Sequence, residues 1–152
     1  MFQPVQLNLP AYPVRLSTDG QKHFVFDELR KKHLICTPEE WVRQHWIQHL
    51  IRAKGYPKGL IKPEGGLSLH GMPRRSDLVI YNTSGEMILL AEFKSPSVAL
   101  GQEVFDQISR YNSVYRIPLL LVSNGLEHYF WEIEWESNSY RFLDELPDYQ
   151  PG

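Results

Sequence analysis

Two nearly continuous apolar runs, separated by a helix-length segment, constrain the fold of this chain most strongly. The runs are Met87–Lys94 (MILLAEFK) and Ile117–Ser123 (IPLLLVS). Strands of this composition are buried on both faces, so they lie in the middle of a sheet. The segment between them, 101–116, carries an apolar stripe at helical spacing: Val104, Ile108, Tyr111 and Tyr115. A strand, a helix and a strand in this order predict a parallel crossover inside a mixed sheet.

A second helix is predicted upstream from its two boundaries. Thr37 suits the N-cap, Pro38 suits the first helical position, and Glu40 stands three residues after the cap, as a capping box requires. Gly55 and then Pro57 are typical of the residues that follow the end of a helix. The stripe between these boundaries is apolar: Val42, Trp46, Leu50 and Ala53.

Three further segments complete the predicted sheet. Leu60–Leu69 reads as an edge strand or bent ribbon, because it contains Pro and Gly. Asp77–Tyr81 is rich in β-forming residues and is predicted to pair with Met87–Lys94 across a four-residue turn. Glu127–Glu134 follows the hairpin signal Asn124-Gly125. The chain is therefore expected to be an α/β protein with a central mixed sheet flanked by helices, in the order α-β-β-β-α-β-β.

Length and composition indicate a single domain. The chain has 152 residues, of which 42% are hydrophobic and 22% are charged, as in ordinary globular domains. The core is expected over residues 26–134, with a peripheral arm over 1–20 and a peripheral tail over 145–152 that is frayed from Pro147. His23–Phe26 is predicted to be a short strand that continues into one or two helical turns over 27–33.

Charge and cysteine content exclude several classes of protein. A net charge of −2 excludes binding of nucleic acid through bulk charge alone, so DNA contact would need a local basic patch or metal ions. The single cysteine, Cys36, fits a reducing compartment. No signal peptide and no apolar run of membrane-spanning length are found, so we expect a cytoplasmic chain.

Three charged residues stand in strands that are otherwise apolar. Asp77 opens one strand of the predicted hairpin, and Glu92 and Lys94 close the other. Alternation along a strand points Glu92 and Lys94 to the same face. Two converging carboxylates repel each other unless a cation lies between them, and Mg²⁺ is commonly held by one or two carboxylates. The residues predict metal-dependent phosphodiester hydrolysis, with Lys94 beside the metal-bound water; a strand-end ion pair is the structural alternative.

The following helix adds two candidates at i, i+4 spacing. Gln107 and Tyr111 lie on one flank of that helix. The Gln107 amide is suited to hydrogen-bond the catalytic groups or a nucleic-acid backbone. Tyr111 also lies on the apolar stripe, so core packing is its alternative role.

Together these motifs resemble the signature of PD-(D/E)XK nucleases in the branch with a Gln-x-x-x-Tyr motif. The matching residues are Asp77, Glu92-Phe93-Lys94 and Gln107 to Tyr111. Four more stretches resemble the N-terminal endonuclease domain of type I restriction enzyme R subunits: 37–44, 55–57, 76–81 and 123–125. The resemblance covers about 26–134. It implies a restriction-endonuclease-like core in which Asp77 and Glu92 bind Mg²⁺, with Mn²⁺ able to substitute, while Lys94 assists the attacking water and Gln107 and Tyr111 are accessory.

The resemblance also implies further metal ligands, and the sequence departs from the motif at one position. The family often adds an acid from the helix that Thr37 caps, and Glu39 or Glu40 could serve here. Glu39 is favoured because it shares a face with Arg43, whereas Glu40 already has a capping role; Glu64 is another candidate. Ser76 stands where the motif has its name-giving proline. DNA contacts are expected from three arginines, Arg43, Arg75 and Arg110.

The expected function is therefore Mg²⁺-dependent DNA cleavage. DNA is the expected partner, together with other restriction or motor subunits, because no helicase-like motor is found within these 152 residues. The rival interpretation is a catalytically silent or partner-dependent nuclease-like module that binds DNA or protein. Oligomeric state is left open by the sequence.

Overall fold

The computed structural model describes residues 3–63 and 78–151. These residues form a mixed α/β fold with two α-helices, a three-stranded sheet and a six-stranded sheet. Neither of the two described helices is long and apolar enough to cross a membrane.

The elements follow one another as three strands, a helix, three strands, a second helix and three strands. In chain order they are β1 (Leu16–Asp19), β2 (Lys22–Asp27), β3 (Lys32–Ile35), α1 (Pro38–Arg52), a short 3-10 helix (Lys58–Leu60), β4 (Ile61–Pro63), β5 (Leu78–Tyr81), β6 (Met87–Phe93), α2 (Gln102–Tyr115), β7 (Leu119–Ser123), β8 (His128–Glu134) and β9 (Ser139–Leu143). Strands β1, β3 and β9 are absent from the sequence-based prediction.

The large sheet has the strand order β4-β5-β6-β7-β8-β9. Neighbouring strands are antiparallel except β6 and β7, which are parallel in the register Leu89↔Leu119 to Phe93↔Ser123. The helix α2 connects these two strands, so the predicted parallel crossover is confirmed. Because β6 and β7 occupy the two middle positions, their apolar composition is explained by burial on both faces.

The two helices pack on opposite faces of this sheet. On one face α1 contributes side chains such as Trp46 and Ile47 to a core with Leu89 and Phe93 of β6. On the other face α2 contributes side chains such as Ile108 to a second core, which includes Leu90, Leu120 and Val122 of the sheet. From Leu89 onwards, odd-numbered residues of β6 therefore face α1, and even-numbered residues face α2.

The segment after β2 differs from the prediction. Residues 28–31 form a turn, and Lys32–Ile35 is a strand paired with β2, so the helical turns expected over 27–33 are wrong. The side chain of Asp27 explains the turn: its Oδ1 accepts from Leu29 N at 2.9 Å, and its Oδ2 pairs with Arg30 at 3.1 Å. Lys31 then takes a left-handed backbone conformation, with φ of 58°, and this reverses the chain.

Both chain ends pack against the core. Leu7 of the arm is buried, and the neighbouring Asn8 N donates to Gly125 O at 2.7 Å. In the tail, Leu146 is only 2% exposed, and Pro147 O accepts from Tyr56 OH at 2.8 Å. The expectation of a frayed tail is therefore wrong, because the tail covers apolar surface on the α1 side of the sheet.

A buried hydrogen-bond network fixes the arm to the end of β7. Ser123 Oγ accepts from Trp46 Nε1 and from Gly125 N, both at 2.8 Å. Its own proton therefore goes to His128 Nδ1, 2.7 Å away, and His128 Nε2 donates to Asn8 O at 2.7 Å. This network requires a neutral His128 ring. Burial also lowers the pKa of His128 below its ordinary value.

We expect stability to fall as the pH is lowered from about 7.5 to about 5, because buried histidines must take up protons. Burial lowers the pKa of His45, His49 and His128 in the folded chain. The unfolded chain, with histidine pKa values of about 6.5, then binds more protons, so stability present above that pH is lost below it. Thermal unfolding across this range measures the effect. His128→Gln should reduce the dependence of the unfolding midpoint on pH, whereas His33→Gln, at an exposed position, should not. An unfolding midpoint that does not change with pH would refute the prediction.

Candidate active site

The end of β6 brings a carboxylate and an ammonium group together. Glu92 is 7% exposed, and its Oε1 lies 3.5 Å from Lys94 Nζ. The Lys94 backbone continues the strand pairing, since its N–H donates to Ser123 O at 2.9 Å. Both side chains therefore lie on the sheet face that α2 covers, while Phe93 points into the α1 core between them. A buried acid beside a fixed cation is a chemically unusual pair for a strand end.

Asp77, Glu64 and Arg75 lie outside the described residues. The described part of β5 begins at Leu78, which pairs with Ala91. The first described residue after Asp77 is therefore opposite the residue that precedes Glu92.

The helix α2 places the accessory candidates over the same sheet face. Tyr111 is 3% exposed and belongs to the α2 core, with its ring 5.3 Å from that of Tyr115. Gln107 is half-buried and Arg110 is exposed. Tyr111 thus has the packing role that its position on the apolar stripe indicated, and Gln107 is the more accessible polar group of the pair.

The first turn of α1 distinguishes its two acids. The side chain of Glu39 is 47% exposed and lies 3.7 Å from Arg43. Glu40 is buried; its carboxylate pairs with Arg43 and accepts from Gln44 Nε2 at 3.0 Å. Its backbone N–H donates to Thr37 Oγ1 at 3.0 Å, as the N-cap prediction requires. The structure therefore buries Glu40, whereas the sequence argument favoured Glu39.

Arg43 does not lie where a DNA contact would need it. Its side chain is 6% exposed and is held by the two glutamates of its own helix. Gln44 was not among the candidates, although its i, i+4 spacing from Glu40 was visible in the sequence. Its Oε1 is buried and has no hydrogen-bond partner within the described residues. The buried start of α1 is thus a polar cluster of Glu40, Arg43 and Gln44.

The family model for the N terminus of the type I restriction enzyme R protein matches residues 38–147. The chain belongs to this family. The match includes both α-helices and the whole six-stranded sheet from β4 onwards, so it contains Glu92, Lys94 and Gln107.

A solved structure gives the same answer about the fold. It is the fragment structure described as an HsdR subunit of a type I restriction enzyme from Vibrio vulnificus YJ016. The TM-score is 0.51 at 16% sequence identity, and the match covers 72% of this chain. It covers only 23% of that chain, so the matched part of this chain corresponds to about a quarter of the length of its structural relative. A search of the curated proteins found no match.

The donor chemistry of the site fits a hard divalent cation. Glu92 supplies carboxylate oxygen, which Mg²⁺ prefers, in a buried position where an isolated negative charge is costly. Within residues 3–63 and 78–151, no three His, Cys, Asp or Glu side chains cluster in a way that holds a metal ion. Asp77, the other carboxylate that the sequence analysis predicts to bind metal, lies outside these residues.

Proposed function

We propose that this R-protein N-terminal domain is a Mg²⁺-dependent deoxyribonuclease of the PD-(D/E)XK type, acting within a restriction system. The observation that supports the proposal is the pairing of Glu92 and Lys94 at 3.5 Å on the face covered by α2. Membership of the restriction family supports DNA as the substrate and other restriction subunits as partners. A mixed sheet with one helix on each face supports the restriction-endonuclease-like core.

Asp77 and Glu92 are the proposed metal ligands. Two carboxylates are the usual number for a Mg²⁺ ion that also binds phosphate and water. When bound, the ion supplies a water of lowered pKa and neutralises negative charge that develops on the phosphate. The pairing of Leu78 with Ala91 supports this assignment, since each of these residues is the chain neighbour of a proposed ligand.

Lys94 has the proposed role of orienting the attacking water and a phosphate oxygen. Its ammonium group has three donors, and Glu92 occupies the side of the group on which the metal ligands lie. The remaining protons on Nζ are then available to the water and to the non-bridging oxygen. The backbone of Lys94 is fixed to Ser123 O, and the ion pair with Glu92 places the ammonium group beside the proposed metal ligand before substrate arrives.

The helix α2 is proposed to complete the site. The half-buried Gln107 amide would hydrogen-bond the carboxylates or a phosphate oxygen, and the buried Tyr111 ring would hold the helix on the sheet. Arg110 is exposed beside them, and of the three arginines predicted from the sequence to contact DNA it is the one among the described residues that is still proposed to do so. Glu40 is proposed to stabilise α1 through Arg43 and Gln44 rather than to bind metal, because its carboxylate already has two donors.

The test is cleavage of supercoiled plasmid by the folded chain. We expect nicked or linear DNA with Mg²⁺ or Mn²⁺ and none with a chelator, together with Mn²⁺ binding by calorimetry. If the folded chain binds no metal at millimolar concentration and cuts no form of DNA, the nuclease proposal is refuted. That outcome would favour a silent or partner-dependent module.

A further inference from the structure

Charge is distributed unevenly along the chain, although the net charge is only −2. Residues 1–62 contain ten Lys and Arg against five Asp and Glu, whereas residues 127–152 contain one against seven. The basic part ends in β4, at one edge of the large sheet, and the acidic part includes β8 and β9 at the other edge. Lys54 of the basic part pairs with Glu145 and Asp148 of the acidic part, so the two parts meet there. The sheet edges still differ in charge, since Lys62 lies on β4 and Glu132 and Glu134 lie on β8.

Three cations converge on a single carboxylate at the cationic edge. Glu28 has ion-pair distances of 3.1 Å to Lys58, 3.6 Å to Arg15 and 4.0 Å to Lys31. We call these four residues the Glu28 cluster. One carboxylate neutralises one of the three cations, so the cluster keeps an excess of two positive charges.

The cations of the Glu28 cluster are accessible to a large ligand. The side chains of Arg15 and Lys31 are 68% and 63% exposed, and that of Lys58 is 38% exposed. Exposed cations that lie close together attract a polyanion such as nucleic acid. Each phosphate that a cation contacts releases condensed counterions, and this release favours binding.

A further cation, Lys62, lies on β4 and shares a sheet face with the candidate active site. It follows Lys58 by four residues, is exposed, and lies on β4 opposite Val79 of β5. Val79 in turn pairs with Leu90 of β6 and packs against α2. Lys62 is therefore on the same sheet face as Glu92 and Lys94, two strands away, which corresponds to roughly 10 Å across the sheet.

We propose that the Glu28 cluster and Lys62 form the surface on which duplex DNA docks, with its backbone passing over β4 towards Glu92 and Lys94. The inference rests on the proposed function, from which it takes DNA as the ligand. It adds an orientation: the duplex lies along the β4 edge and avoids the acidic β8–β9 edge. Duplex DNA carries one negative charge per about 1.7 Å, so phosphates are available all along its path from the cluster to the site.

The test is the salt dependence of binding to a short labelled duplex, measured by fluorescence anisotropy without divalent metal. Lys31→Gln should flatten the slope of log K against log salt by about 0.9, and K31Q/K58Q/K62Q by about 2 to 3. The triple variant should bind at least about tenfold more weakly. Arg141→Gln is the matched control, because Arg141 has a similarly exposed side chain (72%) on β9 at the acidic edge. It should leave the slope unchanged, and thermal unfolding should show all variants folded.

Each outcome decides the inference separately from the nuclease proposal. If the triple variant keeps the affinity and slope of the unsubstituted chain, the docking surface is refuted, and plasmid cleavage still decides the activity. If the slopes change as expected but no metal supports cleavage, the docking surface stands and the nuclease proposal falls. If the unsubstituted chain binds no duplex at about 50 mM salt, the docking surface is refuted outright.

Discussion

Glu92→Gln is expected to lower the rate of DNA cleavage by about 10³-fold while leaving the chain folded. The substitution keeps the size and one oxygen of the side chain but removes the negative charge that a divalent cation requires. Glu92 is 7% exposed, so a carboxylate from the surface could take its place only at a high cost of desolvation. Initial rates of plasmid nicking at saturating Mg²⁺, with Mn²⁺ affinity by calorimetry, measure both consequences.

Two companion variants make this expectation specific. Glu134→Gln makes the same chemical change at an exposed position at the end of β8 and should leave the rate unchanged. Lys94→Gln should lower the rate to a similar extent but keep the affinity for Mn²⁺, because its proposed role is to orient water and phosphate. Equal rates for Glu92→Gln and Glu134→Gln would remove Glu92 from the reaction.

The central elements could be predicted because burial determines which of their residues are apolar. Thr37 and Gly55 delimit α1 chemically, and the apolar runs of β6 and β7 admit few other positions in a sheet. The shared face of Glu92 and Lys94 could be predicted for a related reason, because alternation along one strand places residues two positions apart on the same side of the sheet.

The edge strands could not be predicted because neither burial nor alternation marks them. Tyr140 and Phe142 of β9 are 68% and 60% exposed, so their aromatic character does not report a buried face. Strand β3 begins with charged residues and is defined by the turn that Asp27 caps, which is an interaction between side chain and backbone. Local composition there fits a helical turn equally well.

The two acids of α1 could not be distinguished from the sequence for a related reason. The capping role of Glu40 uses its backbone N–H, which donates to Thr37, and this leaves its carboxylate available to Arg43. A complete capping box would use the Glu40 carboxylate as well, and for this reason Glu39 was favoured as the free acid. Which acid is buried depends on how α1 is rotated against the rest of the fold, and spacing alone does not fix that rotation.

Trp46→Ala is expected to destabilise the chain by about 3–5 kcal/mol, the largest stability effect that we predict. Trp46 is 1% exposed, its ring is stacked 6.3 Å from that of Phe93, and its Nε1 donates to Ser123. The substitution would leave a cavity between α1 and the strand that carries the site, and would remove a donor from the network that fixes the arm. For a chain of this length the unfolding midpoint should fall by roughly 6–20 °C.

Trp46→Phe, which keeps a ring but loses the donor, should cost about 1–2 kcal/mol. Tyr140→Ala, at an exposed ring on the same sheet, should cost within about 0.5 kcal/mol. If Trp46→Ala lowers the midpoint no further than Tyr140→Ala, the packing of α1 against β6 described above is wrong.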